Sequence, residues 1–353
     1  MQRFCLLLFT FLLLAGSAYS FDKWIVVTTI QYPTEQLKKL AQIPGFRLVV
    51  VGDKKTPADW HLDNCDYLSP EKQLELGYEI AKMLPWNHYS RKNIGYLYAI
   101  QNGAKIIYET DDDNEPLTSV LKPCSSKRKL PSILCEEACF NVYAYFGRPD
   151  VWPRGFPLEK IASCSNYKLT SPSRCNIGVE QGIVNESPDV DAIFRLTQDK
   201  NIEFRKRTPC YLPKGIFCPF NSQNTFFHWK AFFTMYLPSS VTMRVSDIWR
   251  GYFSQRLLWD FNQQLIFSGP NAVQKRNVHN IFNDFLQEQD LYLKSSKLIS
   301  FLKDWQNSSP LDPLQAMIDL TQELVKEGFL TSHELSLVEA WVNDLTRIGY
   351  KLV

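Results

Sequence analysis

KIIYETDDDN, Lys105 to Asn114, runs a short apolar segment straight into three consecutive carboxylates. Lys105 to Glu109 is too short and too β-prone for a helix, and it reads as a strand buried in a sheet. The same reading applies to Lys23 to Ile30 (KWIVVTTI) and to Phe46 to Val51 (FRLVVV), which ends at Gly52-Asp53. Helical segments separate these strands. Pro33 opens one that runs to about Ala41, with Pro44-Gly45 as its stop. Ser69-Pro70-Glu71 supplies a cap, a first-turn proline and an acid at the positive end of another. Ser90 to Asn102 is a third, and Gly103 is its natural C′ residue. Strands alternating with helices predict an α/β fold, a Rossmann-like sheet with helices on both faces. In such sheets ligands collect at the carboxyl ends of strands, which is where Asp111 to Asp113 lie.

Working outward, Pro116 to Pro238 is rich in proline, cysteine and aromatics and has weak periodicity. It reads as the second half of the same domain, built of extended segments and disulfide-pinned loops. From Leu286 the pattern turns helical, with helices expected over Ser295 to Trp305, Pro313 to Lys326 and Ser332 to Ile348. The expected organisation is residues 1–20 as a signal peptide or short signal anchor, 21–285 as the catalytic domain and 286–353 as a C-terminal helical appendage.

Met1 to Ser20 carries one cation, Arg3, then the apolar run FCLLLFTFLLLAG and the small-residue site Ala18-Tyr19-Ser20. That is the layout of a secretory signal, and it places the chain in the Golgi or ER lumen or outside the cell. Nine cysteines are present, of which Cys5 lies in the signal. The other eight are expected to form disulfides in an oxidising compartment, with about 105 connectivities open. Asn185 and Asn307 head glycosylation sequons. With 39 basic against 37 acidic side chains, charge points to neither nucleic acid nor anionic lipid as a partner. Aromatics make up 14% of the chain. That share suits sugar binding, and a large core explains it equally well.

The acidic triplet suggests a chemistry. Transfer of a sugar from a nucleotide donor builds charge on a leaving diphosphate, and a divalent cation beside it lowers the barrier. Mn²⁺ or Mg²⁺ prefers hard oxygen ligands. In an extended segment Asp111 and Asp113 would face one ion, while Asp112 would point elsewhere towards the donor. A solvated acidic loop or a calcium site is the alternative. Arg91, Asn93 and Gly95 open the helix that leads into the strand, with free N–H groups and cations suited to a phosphate or a base. Thr28, Thr29 and Asp53, at the ends of the first two strands, are the other expected nucleotide contacts.

KWIVVTTIQYPT, VVVGDKKTP, RKNIGYLYAIQNGAKIIYETDDDN, VWPRGFPL, QGIVNESPDVDAIFRLT and the block from PFNSQNTFFHWKAFF through SDIWRGYFSQRLLWD together resemble the STELLO family of glycosyltransferase-like proteins. The resemblance runs from about Lys23 to about Trp305. It implies a glycosyltransferase-A-like fold in which Asp111 to Asp113 is the DxD-type motif. It also implies a nucleotide-sugar donor, a glycan or glycoprotein acceptor, and other Golgi glycosyltransferases as partners. Plant members are Golgi membrane proteins linked to cellulose synthase assembly, a partnership that does not transfer to a chain with a cleavable signal.

Enzymes of this fold place an acid on a helix facing the acceptor. Arg244 to Trp259 reads as such a helix, capped by Ser246 or Asp247. Asp247 is the candidate general base, and Arg250 or Arg256 the diphosphate contact. The bland reading of Asp247 is an acid that stabilises its own helix and pairs with Arg250. Asp189 and Asp191 form a second alternating acidic pair, and Asp191 is the candidate donor-sugar contact. Asn221, Gln223 and Asn224 suit sugar hydroxyls or turns, and His279, ahead of His228, is a candidate distal metal ligand. Two other functions remain open: a non-catalytic scaffold for other glycosyltransferases, and a calcium-dependent carbohydrate-binding protein.

Overall fold

The computed structural model describes residues 21–198, 200–274 and 280–352. The expected signal at 1–20 and the candidate ligand His279 lie outside the described residues.

Four parallel strands form one half of a ten-stranded sheet: β1 (Lys23–Thr28), β2 (Arg47–Val51), β3 (Cys65–Leu68) and β4 (Ile106–Thr110). Their spatial order is β4-β1-β2-β3, so the chain winds outward from β1 and then returns to its other side. The ends of β1 and β4 therefore flank a topological switch point, where crevices form in open α/β sheets. Alternation along β1 supplies both faces. Ile25 and Val27 pack with Leu37 and Leu40 of α1 (Glu35–Leu40). Trp24 and Val26 enter the larger core on the opposite face with Ile94 and Leu97 of α3 (Lys92–Gln101), which follows α2 (Pro70–Glu75). Thr34 caps α1 and Ser69 caps α2 through their side-chain oxygens.

Gly95 is where α3 meets the sheet. A Cβ there would sit 2.7 Å from a methyl of Val26 and 2.7 Å from a methyl of Val51. Close packing of helix on strand accounts for this glycine; approach to a ligand does not.

The middle of the chain, expected as extended segments and disulfide-pinned loops, holds most of the second half-sheet. Its elements are β5 (Asn114–Pro116), β6 (Lys127–Leu130), a small pair β7 (Ile133–Leu134) and β8 (Lys168–Leu169), the 14-residue β9 (Ser173–Glu186), β10 (Cys210–Tyr211) and β11 (Asn224–His228). β11 pairs antiparallel with β4 and with β9, and β12 (Gln264–Gln274) runs parallel to β9. The result is a mixed sheet, β10-β12-β9-β11-β4-β1-β2-β3, flanked by helices.

Short helices α4 (Val142–Tyr145) and α5 (Ala192–Thr197) precede the 18-residue α6 (Met243–Asp260). Thr242 occupies the cap position of α6, so Ser246 and Asp247 lie inside the helix and do not cap it. The C-terminal helices are α7 (Ile281–Gln287), α8 (Gln289–Asp304), α9 (Pro313–Lys326) and α10 (Ser332–Arg347). They are no loose appendage. Leu298, Leu324 and Trp341 belong to the same buried cluster as Val26, Val49 and Trp249. Two buried carboxylates pin them: Glu334 accepts from Ser239 N–H and Ser240 N–H, and Asp344 from Glu79 N–H and Ile80 N–H.

The expected disulfides are absent from the described residues, where all eight cysteines are free. Six of the eight are buried and pack as small apolar groups. The Cys139 and Cys164 sulfurs approach to 3.2 Å, beyond bonding distance. Among the described residues no helix is long and apolar enough to cross a membrane.

Candidate active site

β4 ends at Thr110, whose hydroxyl donates to Gln223 O, and the chain turns at once, with Asn114 N–H reaching back to Asp111 O at 3.4 Å. The triplet therefore lies on a turn and not on an extended segment. Each carboxylate goes its own way. Asp111 accepts from Tyr89 OH at 2.8 Å and from Lys92 Nζ at 3.2 Å. Asp112 crosses the switch point to Thr29, whose hydroxyl donates at 2.6 Å, while Thr34 Oγ1 holds the Asp112 carbonyl. Asp113 accepts from Gln274 Nε2 at 2.9 Å, and Gln274 is in turn held by Gln223 at 2.7 Å. Burial pushes the Asp113 carboxyl up to about 7, with the Asp111 and Asp112 charges adding to it against the Gln274 hydrogen bond. Burial also raises Asp112, against the Thr29 bond.

Two adjoining cavities open here. The larger, about 440 Å³, is lined by Thr28, Thr29, Asp53, His88 and all three triplet carboxylates. The smaller, about 80 Å³, is lined by Arg154, Asp189, Arg195, Gln223 and Asp247. Asp111, Arg244 and Gln274 line both, which makes them one cleft with a deep end.

Asp247 lines the deep end of the cleft. Its partners are different from the expected Arg250. Arg154 Nη2 reaches Asp247 at 3.1 Å and Asp189 at 2.8 Å, and Ser222 donates to Asp247 through both N–H and hydroxyl. Burial works against the Arg154 charge, but Asp189 and Asp247 outweigh it and hold its pKa well above the arginine range. The Ser222 hydroxyl also lies 2.5 Å from Tyr89 OH. Close polar contacts thus connect Asp247, Ser222, Tyr89, Asp111 and Lys92, and the two hydroxyls have one hydrogen each to share among them. Burial, and next the Asp111 charge, keep Tyr89 a neutral phenol.

Several expected contacts are placed elsewhere. Asp191 caps α5, accepting from Phe194 N–H and from Trp152 Nε1, and lines neither cavity. Arg250 points into the core, where it meets Glu109 at 2.5 Å. That buried pair ties α6 to β4 one residue before Thr110. Arg256 meets Asp260 and the Trp305 carbonyl. Asn93 clasps the backbone of Leu237 with both amide atoms. Arg91 reaches the rim of the larger cavity, but its guanidinium is spent on Gln73 and on the carbonyls of Ala81 and Leu84, under the Trp86 ring. Asp53 lines the cavity and accepts from Asn87 N–H and His88 N–H, fixing the loop that carries Tyr89. Gln223 borders the deep end, whereas Asn221 and Asn224 belong to the sheet network. The residues the sequence reading missed are Tyr89, Arg154, Ser222 and Gln274; Lys92, expected with Arg91 as a cation for a phosphate or base, meets Asp111. Arg154 had one visible sign, a lone cation in the otherwise uncharged stretch VWPRGFP.

The donor set bears on a divalent cation. Among the described residues no three His, Cys, Asp or Glu side chains form a ready cage. Mg²⁺ and Mn²⁺ at diphosphates do not need one, since one or two carboxylates complete their shell with substrate oxygens and water. Asp111 and Asp113 both line the larger cavity and are the residues that would meet that requirement.

Residues 244–353 match the family model described as STELLO glycosyltransferases. The chain is 36% identical over 349 residues to the Arabidopsis thaliana protein named "Probable glycosyltransferase STELLO1", covering 94% of this chain and 45% of that protein. It is 33% identical over 358 residues to "Probable glycosyltransferase STELLO2" of the same plant, covering 95% of this chain and 46% of that protein. The chain spans about half the length of the curated relatives it matches. It belongs to the STELLO glycosyltransferase family.

Proposed function

We propose that this chain is a metal-dependent glycosyltransferase that moves a sugar from a nucleotide donor to a glycan or glycoprotein acceptor within the secretory pathway. The observation that carries the reading is the single cleft, wide where it meets the carboxylate turn and narrow where it reaches Asp247. The nucleotide occupies the wide end, against Thr28, Thr29 and Asp53. Asp111 and Asp113 hold Mn²⁺ or Mg²⁺, which when bound offsets charge on the departing diphosphate. Lys92 and Tyr89 orient Asp111, and Gln274 orients Asp113. The acceptor hydroxyl enters the deep end, where Asp247 takes its proton. Arg154 and Ser222 fix the position of that carboxylate.

A second reading rests on one observation. Arg154 bonds both oxygens of Asp247 and Ser222 bonds one of them again, so the carboxylate is already occupied, which suits a protein that binds nucleotide and serves as a partner to other glycosyltransferases. A donor panel with Mn²⁺ separates the two. Release of nucleoside diphosphate by wild type, lowered about 10²- to 10⁴-fold in Asp247→Asn, supports the enzyme. Nucleotide binding without turnover of any donor overturns it in favour of the partner protein.

A further inference from the structure

A hollow larger than the cleft lies elsewhere in the described structure. It is a groove of about 1110 Å³ at the opposite end of the strands, where β1 and β4 begin and β11 finishes. Five residues of β4 put roughly 15 Å between the two sites. Lys23, Lys105, Lys122, Lys127, Arg174 and Lys230 line it, and no acidic side chain does. None of the six forms an ion pair among the described residues, in a chain whose net charge is only +2. Like charges gathered without counterions repel one another, and an anionic ligand relieves that repulsion.

The rest of the lining narrows the chemistry. Trp229 and Phe261, both half-buried, supply flat apolar surface, and Lys105 Nζ lies 4.0 Å from the Trp229 ring centre. Asn262 supplies an exposed amide, and Asn176 and Gln263, whose nitrogens donate to nearby carbonyls, supply amide oxygens, groups of the kind that hydroxyls match. His228 is 5% exposed, and its Nε2 is buried without a partner. Burial pushes its imidazole down to about 4, so it stays neutral and offers a hydrogen bond without adding charge. A bare phosphate needs only the cations. A membrane needs a convex or flat basic face, which a groove is not.

We infer that this groove binds an anionic carbohydrate, a short sugar chain bearing carboxylate or sulfate groups. The cations take the acidic groups, the amides and His228 take hydroxyls, and the aromatic walls take the apolar faces of the rings. The site works independently of the nucleotide cleft. It gives the molecule a second hold on a glycan at the far side of the sheet.

Titration calorimetry on the whole chain tests this, with an oligogalacturonate and a sulfated oligosaccharide as probes and a neutral oligosaccharide of equal length as control. Both acidic probes are expected to bind, more weakly as salt rises. The triple variant Lys122→Glu, Lys127→Glu, Lys230→Glu, all on exposed side chains, is expected to lose at least about tenfold in affinity. Asp111→Ala is expected to bind these probes as wild type does, which keeps the result separate from the fate of the nucleotide site. Absence of binding, equal binding of the neutral chain, or an unaffected triple variant overturns the inference. So does tighter binding of a single-stranded oligonucleotide of the same charge, which would make the groove a nucleic-acid site.

Discussion

Thr29 shows how much of the cleft depends on single atoms. Its hydroxyl donates to Asp112 at 2.6 Å and accepts from Gln31 N–H at 3.2 Å, so one oxygen joins the end of β1 to the carboxylate turn. Thr29→Val keeps the shape and removes both bonds, leaving a partly buried carboxylate short of a donor. The expected cost is about 1–3 kcal/mol, read as a lower urea midpoint. An unchanged midpoint would mean that the bond contributes nothing. Asp191 gives a prediction in pH. Burial raises its carboxyl to about 6, against the bonds from Phe194 N–H and Trp152. A carboxyl whose folded pKa lies above its unfolded value binds more protons when folded. Its contribution is therefore present below about pH 4 and is lost as pH rises through 6. Asp191→Asn carries no such titration, so its stability relative to wild type should improve from about pH 4 to pH 7. A constant difference across that range would contradict the raised value.

At the scale of elements, α3 is held on the sheet by the missing side chain at Gly95. Gly95→Ala improves helix propensity by about 1 kcal/mol but drives a methyl into Val26 and Val51, at a cost of about 1–3 kcal/mol. The clash should win, and thermal unfolding should show a lower midpoint; a higher one would mean that helix and strand are less tightly packed than described. Strands β1, β2 and β4, helices α1 to α3 and the acidic turn after β4 were legible in the sequence, because each is a local pattern of apolar runs, caps and breakers, whereas the short β3 was not. Helix α9 was legible to the residue, from its proline and its periodicity. The 14-residue β9 was not. Gly178 and Gly182 interrupt its pattern, and both are required by neighbours that crowd the backbone, Gln263 and Leu258 at one and Asn271 and Asn224 at the other. Only the partner strands reveal that need. The site was half legible for the same reason. The triplet announces itself, whereas Arg154, Ser222 and Gln274 come to it from distant strands and loops. The basic groove was invisible, since its six cations are scattered from Lys23 to Lys230.

Across the whole molecule, the C-terminal helices and the sheet answer to one core. Trp341 of α10 is fully buried, and its indole N–H reaches Phe233 O at 3.3 Å. Trp341→Ala should cost about 3–5 kcal/mol and lower the unfolding midpoint of the entire chain in one transition, by near-UV and far-UV circular dichroism alike. Two separate transitions would mean that the helices form a unit of their own. The same unity sets the cleft, because the buried Glu109 and Arg250 pair locks α6, which carries Asp247, to β4, which carries the carboxylate turn. The account stands on those carboxylates and a cation acting together on a nucleotide. The direct measurement is calorimetric titration of UDP into the purified chain with Mn²⁺ and again with a chelator. Binding that needs Mn²⁺ and disappears in both Asp111→Ala and Asp113→Ala is the predicted result. Equal UDP binding with and without the metal, or binding that survives both substitutions, would contradict it.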